Sequence, residues 1–382
     1  MPDPIAPHTH AWTRTPLTEK LGIKYPIIQG PLGGFPTQRL TAAVSNFGGL
    51  GSFGALNLAP EAIGDTVGEI RALTSKPFCV NLWVSVEDPG AQTSNAQAFD
   101  RAVATLAPYF DELGAPHPSY QPETPASFER QVRALLDSDL PVFSFIFGIP
   151  PKEILDECRA KKIITIGTAT TVEEAIAIER AGADIVVVSG FEIGGHRGSF
   201  LGPSEESMTG TFSLVPKIAD GVRIPVVAAG GIADARGIVA ALALGAHGVQ
   251  IGTAFLACEE SGAPSIHREA LLAGGNVRTG LSKGFTGRLA RGIKNKLMDT
   301  LNQPGAEILP YPLQRGLLRS LTGPAQKAGR ADLLQLWSGQ SVGLLKHRKA
   351  GALLNDLVAE VTEVIARVAN GVESPPCDKI KA

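Results

Sequence analysis

Cysteine is scarce: Cys79, Cys158, Cys258 and Cys377 are the only four in 382 residues, and no two form a CxxC pair. Such scatter argues against a structural zinc site or a disulfide framework and fits a reducing compartment. Charge of one sign is scarce too. Lys and Arg number 35 against 37 Asp and Glu, the net charge is −2, and no long block of either sign occurs. That balance argues against a nucleic-acid partner or a membrane surface. Aromatic residues make up only 6%, so stacking alone identifies no ligand. No apolar run reaches the roughly 18 residues of a membrane span. The longest Ala-rich stretch, PVVAAGGIADARGIVAALALGA, is broken by Asp234 and Arg236. The first residues, MPDPIAPHTHAWTR, hold no apolar signal-like segment, so a cytoplasmic protein is expected. A GxSxG elbow is missing, and no two histidines stand at HxxxH spacing, so neither serine hydrolase chemistry nor a metal site is expected.

What is present is a rhythm. Short apolar runs near 26–29, 49–53, 77–83, 141–147, 162–166, 184–189, 224–229 and 248–252 alternate with Ala-rich amphipathic stretches. Continuous apolar runs suit parallel strands covered on both faces. TVEEAIAIERAGA begins at a Thr cap and ends at Gly182; DARGIVAALALGA runs from Asp234 to Gly245. Eight such alternations predict a TIM (β/α)8 barrel with a smaller helical satellite domain. The barrel is assigned residues 16–258 and 343–372, the satellite 259–342, where the strand rhythm stops. Residues 85–140 are too long for one crossover and read as a helix, a Pro-rich loop and a second helix.

GLGSFG, from Gly49 to Gly54, matches GxGxxG, but a helical pattern precedes it and its glycines lie within a strand, so a dinucleotide site is not expected. In a barrel the chemistry belongs at the C-terminal strand ends. After the seventh and eighth strands, AAGGIAD and QIGTAF supply Gly230, Gly231, Gly252 and Thr253, with the first pair just ahead of a helix. Backbone N–H groups there can hold a phosphate, belonging either to a flavin mononucleotide or to a substrate. The same glycines could instead serve turn geometry alone.

After the sixth strand comes GFEIGGHRGSF, residues 190–200, with Gly194 and Gly195 ahead of His196. A neutral imidazole over the barrel mouth can take or return a proton. The competing reading is a solvated loop histidine. Asn81, ending the third strand, is either a hydrogen-bonding amide for a ligand or a strand-end cap. Arg197 reads as a surface or anion-pairing residue, Glu192 as a salt-bridge partner, and His247 as a residue of the barrel bottom. His267 and His347 read as helical. Trp83, Phe145 and Phe147 read as core or pocket wall.

Taken together, PIIQGPLGG, AAVSNFGGLGSFGA, VNLWV, FSFIFG, GFEIGGHRGSF, PVVAAGGIADARGIVAALALGAHGVQIGTAFLACEES, GFTGRLARGIKN and LWSGQS resemble the nitronate monooxygenase family, class I in particular, from about Leu17 to Gln340. The resemblance implies FMN on the top face of the barrel. It also implies oxidation of alkyl nitronates, or of nitroalkanes, by molecular oxygen to a carbonyl compound and nitrite. Carried over residue by residue, it makes His196 the catalytic histidine. It assigns flavin contacts to Asn81, Ser189, Gly194, Gly195, Gly230, Gly231, Gln250, Gly252 and Thr253. Pro31 and Leu32 would lie against the flavin ring. Ser189 stands where the family commonly has glutamine, Leu32 where it has methionine, and Ile193 where it has a small residue; these departures leave flavin binding expected and bear on substrate choice and the preferred oxidant. Lys283, Arg288 and Arg291 are candidates to balance the charge of a reduced flavin. The expected partners are a small nitronate and O2, and the chain a monomer or homodimer. Two alternatives stand: a flavin-dependent NAD(P)H enoyl-thioester reductase, which shares the GGH turn and AAGGIADARG, and an FMN-binding protein without turnover.

Overall fold

In the computed structural model, which describes residues 11–121, 127–275 and 277–371, a strand coincides with each of the eight apolar runs. These are β1 (Ile27–Gln29), β2 (Gly51–Gly54), β3 (Phe78–Trp83), β4 (Val142–Ile146), β5 (Ile164–Ala169) and β6 (Ile185–Ser189), then, after a two-residue β7 (Gly195–His196), β8 (Val226–Ala229) and β9 (Gly248–Ile251). All eight barrel strands are parallel, in the order β1-β9-β8-β6-β5-β4-β3-β2. A parallel bridge between Ile28 and Leu50 joins the two ends of that row, so the sheet closes into a TIM barrel. His8, His10 and Cys377 lie outside the described residues.

Strand side chains alternate between faces, and the burial clusters follow that period. Ile28, Cys79, Val142, Ile166, Ile185, Val187 and Val227 fill the barrel interior. Their neighbours Ile27, Val80, Phe143, Phe145, Val186, Val188 and Ala228 face outward into the layer under the helices. Two residues on from an interior residue is again interior. Asn81 follows Cys79, Ser144 follows Val142, Thr168 follows Ile166, and Ser189 follows Val187, all at the C-terminal end.

The helices start and stop on local chemistry. Thr171 accepts from the Glu174 amide to cap Val172–Arg180, and Gly182 follows at φ 90°. Asp234 caps Ala235–Ala243. The last helix, Ala350–Ala369, packs on Ala235–Ala243 and on Gln38–Phe47. Among the described residues no helix is long and apolar enough to cross a membrane. The glycines of GLGSFG serve packing: a Cβ on Gly51 would lie 1.9 Å from Thr41 O of the neighbouring helix.

Residues 259–342 differ from the all-helical expectation. They contain a hairpin, β10 (Thr279–Ser282) and β11 (Ala290–Ile293), that pairs antiparallel with β7. Four-residue strands such as TGLS carry no apolar alternation, so periodicity does not reveal them. A second apolar cluster joins Leu297, Met298, Leu317 and Leu321 of this segment to Phe99, Leu106 and Phe110 of the helix Ala96–Glu112. The first helix of the 85–140 insertion therefore belongs to this cluster, whereas the second, Phe128–Leu136, packs on the barrel helix Pro60–Leu73.

Candidate active site

A cavity of about 690 Å³ opens at the C-terminal ends of the strands, within the usual size of a small-molecule site. Its wall contains the candidate catalytic histidine and every candidate flavin-contact residue: Pro31, Leu32, Asn81, Ser189, Gly194, Gly195, His196, Gly230, Gly231, Gln250, Gly252 and Thr253. Alternation explains much of this convergence. Asn81, Ser189, Gln250 and Gly252 occupy inward positions at the tops of their strands or just beyond. The Asn81 side-chain Nδ2 donates to Ser144 Oγ at 3.0 Å, and no described residue bonds its side-chain Oδ1. Leu32 sits at φ +48°, a left-handed conformation that branched side chains rarely adopt. Such strain, about 1–3 kcal/mol, tends to collect at functional turns.

The glycine turns line this cavity. Gly230 and Gly231 have φ of 107° and 73°. A Cβ on Gly252 would meet nothing within 4 Å; it would project into open space at the cavity wall. Among the described residues, the N–H groups of Gly231 and Gly252 reach no acceptor in the protein. This is a cradle of free donors that only glycine leaves open. The helix after AAGGIAD plays a smaller part than its position suggested. Asp234 accepts from the amides of Arg236 at 3.0 Å and Gly237 at 3.2 Å, so that helix end is closed by its own side chain. Thr253 Oγ1 accepts from Gly339 N at 2.9 Å, which leaves the hydroxyl proton free to donate.

His196 lines the same cavity. Strand pairing fixes its backbone opposite Ala290. The ring meets Trp83 edge-on, with centroids 4.9 Å apart, and tilts against Trp337 at 5.3 Å. Nε2 lies 2.8 Å from Thr286 Oγ1. Burial, and then the positive charges of Arg288 and Arg315, push its pKa down to about 3. The imidazole is therefore neutral throughout the physiological range. The two glycines before it have different causes: a Cβ on Gly194 would lie 2.6 Å from Gly339 N, whereas Gly195 takes a φ of +76°.

Several neighbours sit differently from their expected places. Arg197 is buried; its guanidinium donates to the carbonyls of Ser189, Thr170 and Ser207 and braces the loop. Glu192 makes no salt bridge among the described residues; it accepts from Thr211 N and Oγ1, both at 2.9 Å. Phe145 belongs to the outer core, whereas Trp83 lines the cavity. His247 accepts from Val226 N at the strand bottoms, as expected. His347 lies in the loop before the last helix, 3.2 Å from Asp356, rather than in a helix.

Of the three cations proposed to balance charge, none lines the cavity. Lys283 pairs with Glu205 at 2.5 Å, Arg291 donates to Phe191 O at 3.0 Å, and Arg288 pairs with Asp88 at 2.7 Å while lying over the rings of Phe147 and Tyr311. Arg315 does line it, donating to the Tyr311 hydroxyl at 2.9 Å and to Asn57 Oδ1. Arg315 and Tyr311 were missed because they come from a distant segment with no local pattern. Thr286, Trp337 and Ser338 lay within quoted motifs, GFTGRLARGIKN and LWSGQS, that gave these three residues no assigned role.

Residues 14–360 match the family model described as nitronate monooxygenase. A probable nitronate monooxygenase of Staphylococcus haemolyticus is 42% identical over 359 residues, covering 94% of this chain and 99% of that protein. Among solved structures, nitroalkane oxidase from Streptomyces ansochromogenes superposes with a TM-score of 0.83 at 36% identity, covering 94% of this chain and all of that one. FabK from Thermotoga maritima superposes with a TM-score of 0.72 at 28% identity, covering 94% and 99%. A match along nearly the whole chain, on a closed barrel whose top cavity joins a neutral histidine to two glycine turns, places this protein in the nitronate monooxygenase family of oxidoreductases.

Proposed function

We propose that this chain binds FMN across the top of the barrel and oxidises alkyl nitronates, or the parent nitroalkanes, with molecular oxygen to a carbonyl compound and nitrite. The observation that carries the proposal is the placement of His196 and the donor-bearing glycine turns on the wall of one cavity. The free amides of Gly231 and Gly252, with the Thr253 hydroxyl, would hold the phosphate. Gly230, Gly194 and Gly195 keep that wall open, and Pro31, Leu32, Asn81, Ser189 and Gln250 would contact the ring system. Bound there, FMN supplies the electron-accepting chemistry.

The protein's share is placement and charge. Trp83, Trp337 and Leu32 shield the reacting region from water. Arg315 gives the cavity a positive potential that favours an anionic nitronate. His196 would accept the Cα proton of a neutral nitroalkane, or donate to an oxygen of a nitronate, depending on which ring nitrogen carries its proton. Ser189 in place of an amide and Ile193 in place of a small residue alter the floor beside that histidine, so substrate range is set there.

The purified protein is expected to show flavin absorption, to release FMN on denaturation, and to form nitrite with oxygen uptake when given a nitronate. A colourless protein that binds no added FMN would refute the reading. The superposition with FabK keeps a second reading in play, reduction of an enoyl thioester by NAD(P)H. Rapid anaerobic bleaching of the flavin by NADH or NADPH would favour it. A flavin inert toward nitronates, nicotinamides and oxygen would indicate a binding protein without turnover.

A further inference from the structure

We propose that Thr286 is a positioning residue that keeps the proton of His196 on Nε2 and presents Nδ1 as the basic nitrogen of the site, an inference that rests on the function proposed above. Thr286 is buried in the turn before β11. Its hydroxyl oxygen is 2.8 Å from His196 Nε2, 3.3 Å from Arg288 O and 3.4 Å from Arg288 N. A hydroxyl has one proton and two lone pairs. If the proton goes to Arg288 O, one lone pair receives the Arg288 N–H and the other receives Nε2–H, and every polar group in the turn has a partner. If the proton goes to Nε2 instead, Arg288 O loses the only donor that reaches it among the described residues. A buried carbonyl without a donor is disfavoured, so the first arrangement prevails.

The rest of the ring's surroundings agree. Nδ1 of His196 makes no hydrogen bond to any described residue, and the ring lines the cavity. Pairing of β7 with β11 and the edges of Trp83 and Trp337 hold the ring plane, so the tautomer is the remaining degree of freedom. An unprotonated Nδ1 can accept a proton from a neutral nitroalkane: the Cα–H bond breaks, its electron pair stays on the substrate as the nitronate, and the proton goes to Nδ1. A substrate already ionised has no such proton, and Nδ1 has none to donate to it. Thr286 therefore matters for nitroalkanes and little for nitronates.

The holoenzyme labelled with ¹⁵N-histidine tests this directly, with His196 assigned by its loss in His196→Gln. Long-range ¹H–¹⁵N correlations should show Nε2 protonated and Nδ1 bare in the wild type. Thr286→Val, which keeps the shape and removes the hydroxyl, should give a tautomer mixture; Thr286→Ser should restore the wild-type pattern. In turnover, Thr286→Val should lose at least about tenfold in kcat/KM on a nitroalkane and less than about twofold on its nitronate, the scale of a disturbed general base, with Thr286→Ser recovering. A wild-type His196 protonated on Nδ1, an unchanged tautomer in Thr286→Val, or equal losses on both substrates would overturn the proposal. If neither substrate is turned over by the wild type, the proposed function fails, and the spectra, which need no substrate, decide the tautomer alone.

Discussion

Acid should destabilise this protein through His196, and by an amount the structure sets. Burial against Trp83 and Trp337 and the nearby charges of Arg288 and Arg315 hold its folded pKa at about 3, against about 6.5 in an unfolded chain. The folded state thus resists a proton that the unfolded state accepts. Stability from this group is complete above about pH 6.5 and is lost as pH falls toward 3. Between pH 7.5 and 5.0 only the part below 6.5 counts, about 1.5 pH units at about 1.36 kcal/mol each, or about 2 kcal/mol. His196→Gln removes the titration and keeps a neutral polar side chain. Urea unfolding of both proteins at the two pH values measures the effect. The wild type should lose about 2 kcal/mol more than the variant. His267, whose burial holds its pKa at about 4, acts equally in both proteins and cancels in the difference. Parallel losses in wild type and variant would show that His196 titrates normally and that its environment is wet.

Three further outcomes follow from the same geometry. Gly252→Ala places a methyl in open space at a permitted φ of −106°; the unloaded protein should keep its melting temperature while FMN affinity, read by fluorescence quenching, falls about tenfold as one donor is screened (about 1.4 kcal/mol). Gly51→Ala should abolish soluble expression, since its methyl would sit 1.9 Å from Thr41 O, an overlap worth more than about 3 kcal/mol. Arg315→Gln should raise KM for an anionic nitronate severalfold and flatten the dependence of kcat/KM on ionic strength, leaving a neutral nitroalkane little affected; equal effects on both substrates would remove Arg315 from substrate attraction.

The barrel was legible because its code is local. Most strands are short apolar runs flanked by Gly or Pro, and helices such as those after Thr171 and Asp234 carry their own caps. Strand alternation then places Asn81, Ser189 and Gln250 inside without any knowledge of their neighbours, and the order of strands puts Gly230–Gly231 and Gly252–Thr253 side by side. What sequence patterns misjudged were groups whose state depends on partners. Arg197 looked exposed because arginine usually is, yet three backbone carbonyls and a hydroxyl at Ser207 make its burial tolerable. The helix after Asp234 looked like an anion site, but its cap consumes the donors.

By itself, then, the sequence determined the closed parallel barrel, the glycine turns and the histidine at its rim, because hydrophobic period, capping and turn chemistry act over a few residues. Only the tertiary structure decided that a polar hairpin from residues 279–293 pairs with β7, that Thr286 meets the imidazole across 90 residues of chain, and that Arg315 and Trp337 complete the cavity. Those contacts come from burial and hydrogen bonding between segments brought together by the fold, and no local pattern encodes them.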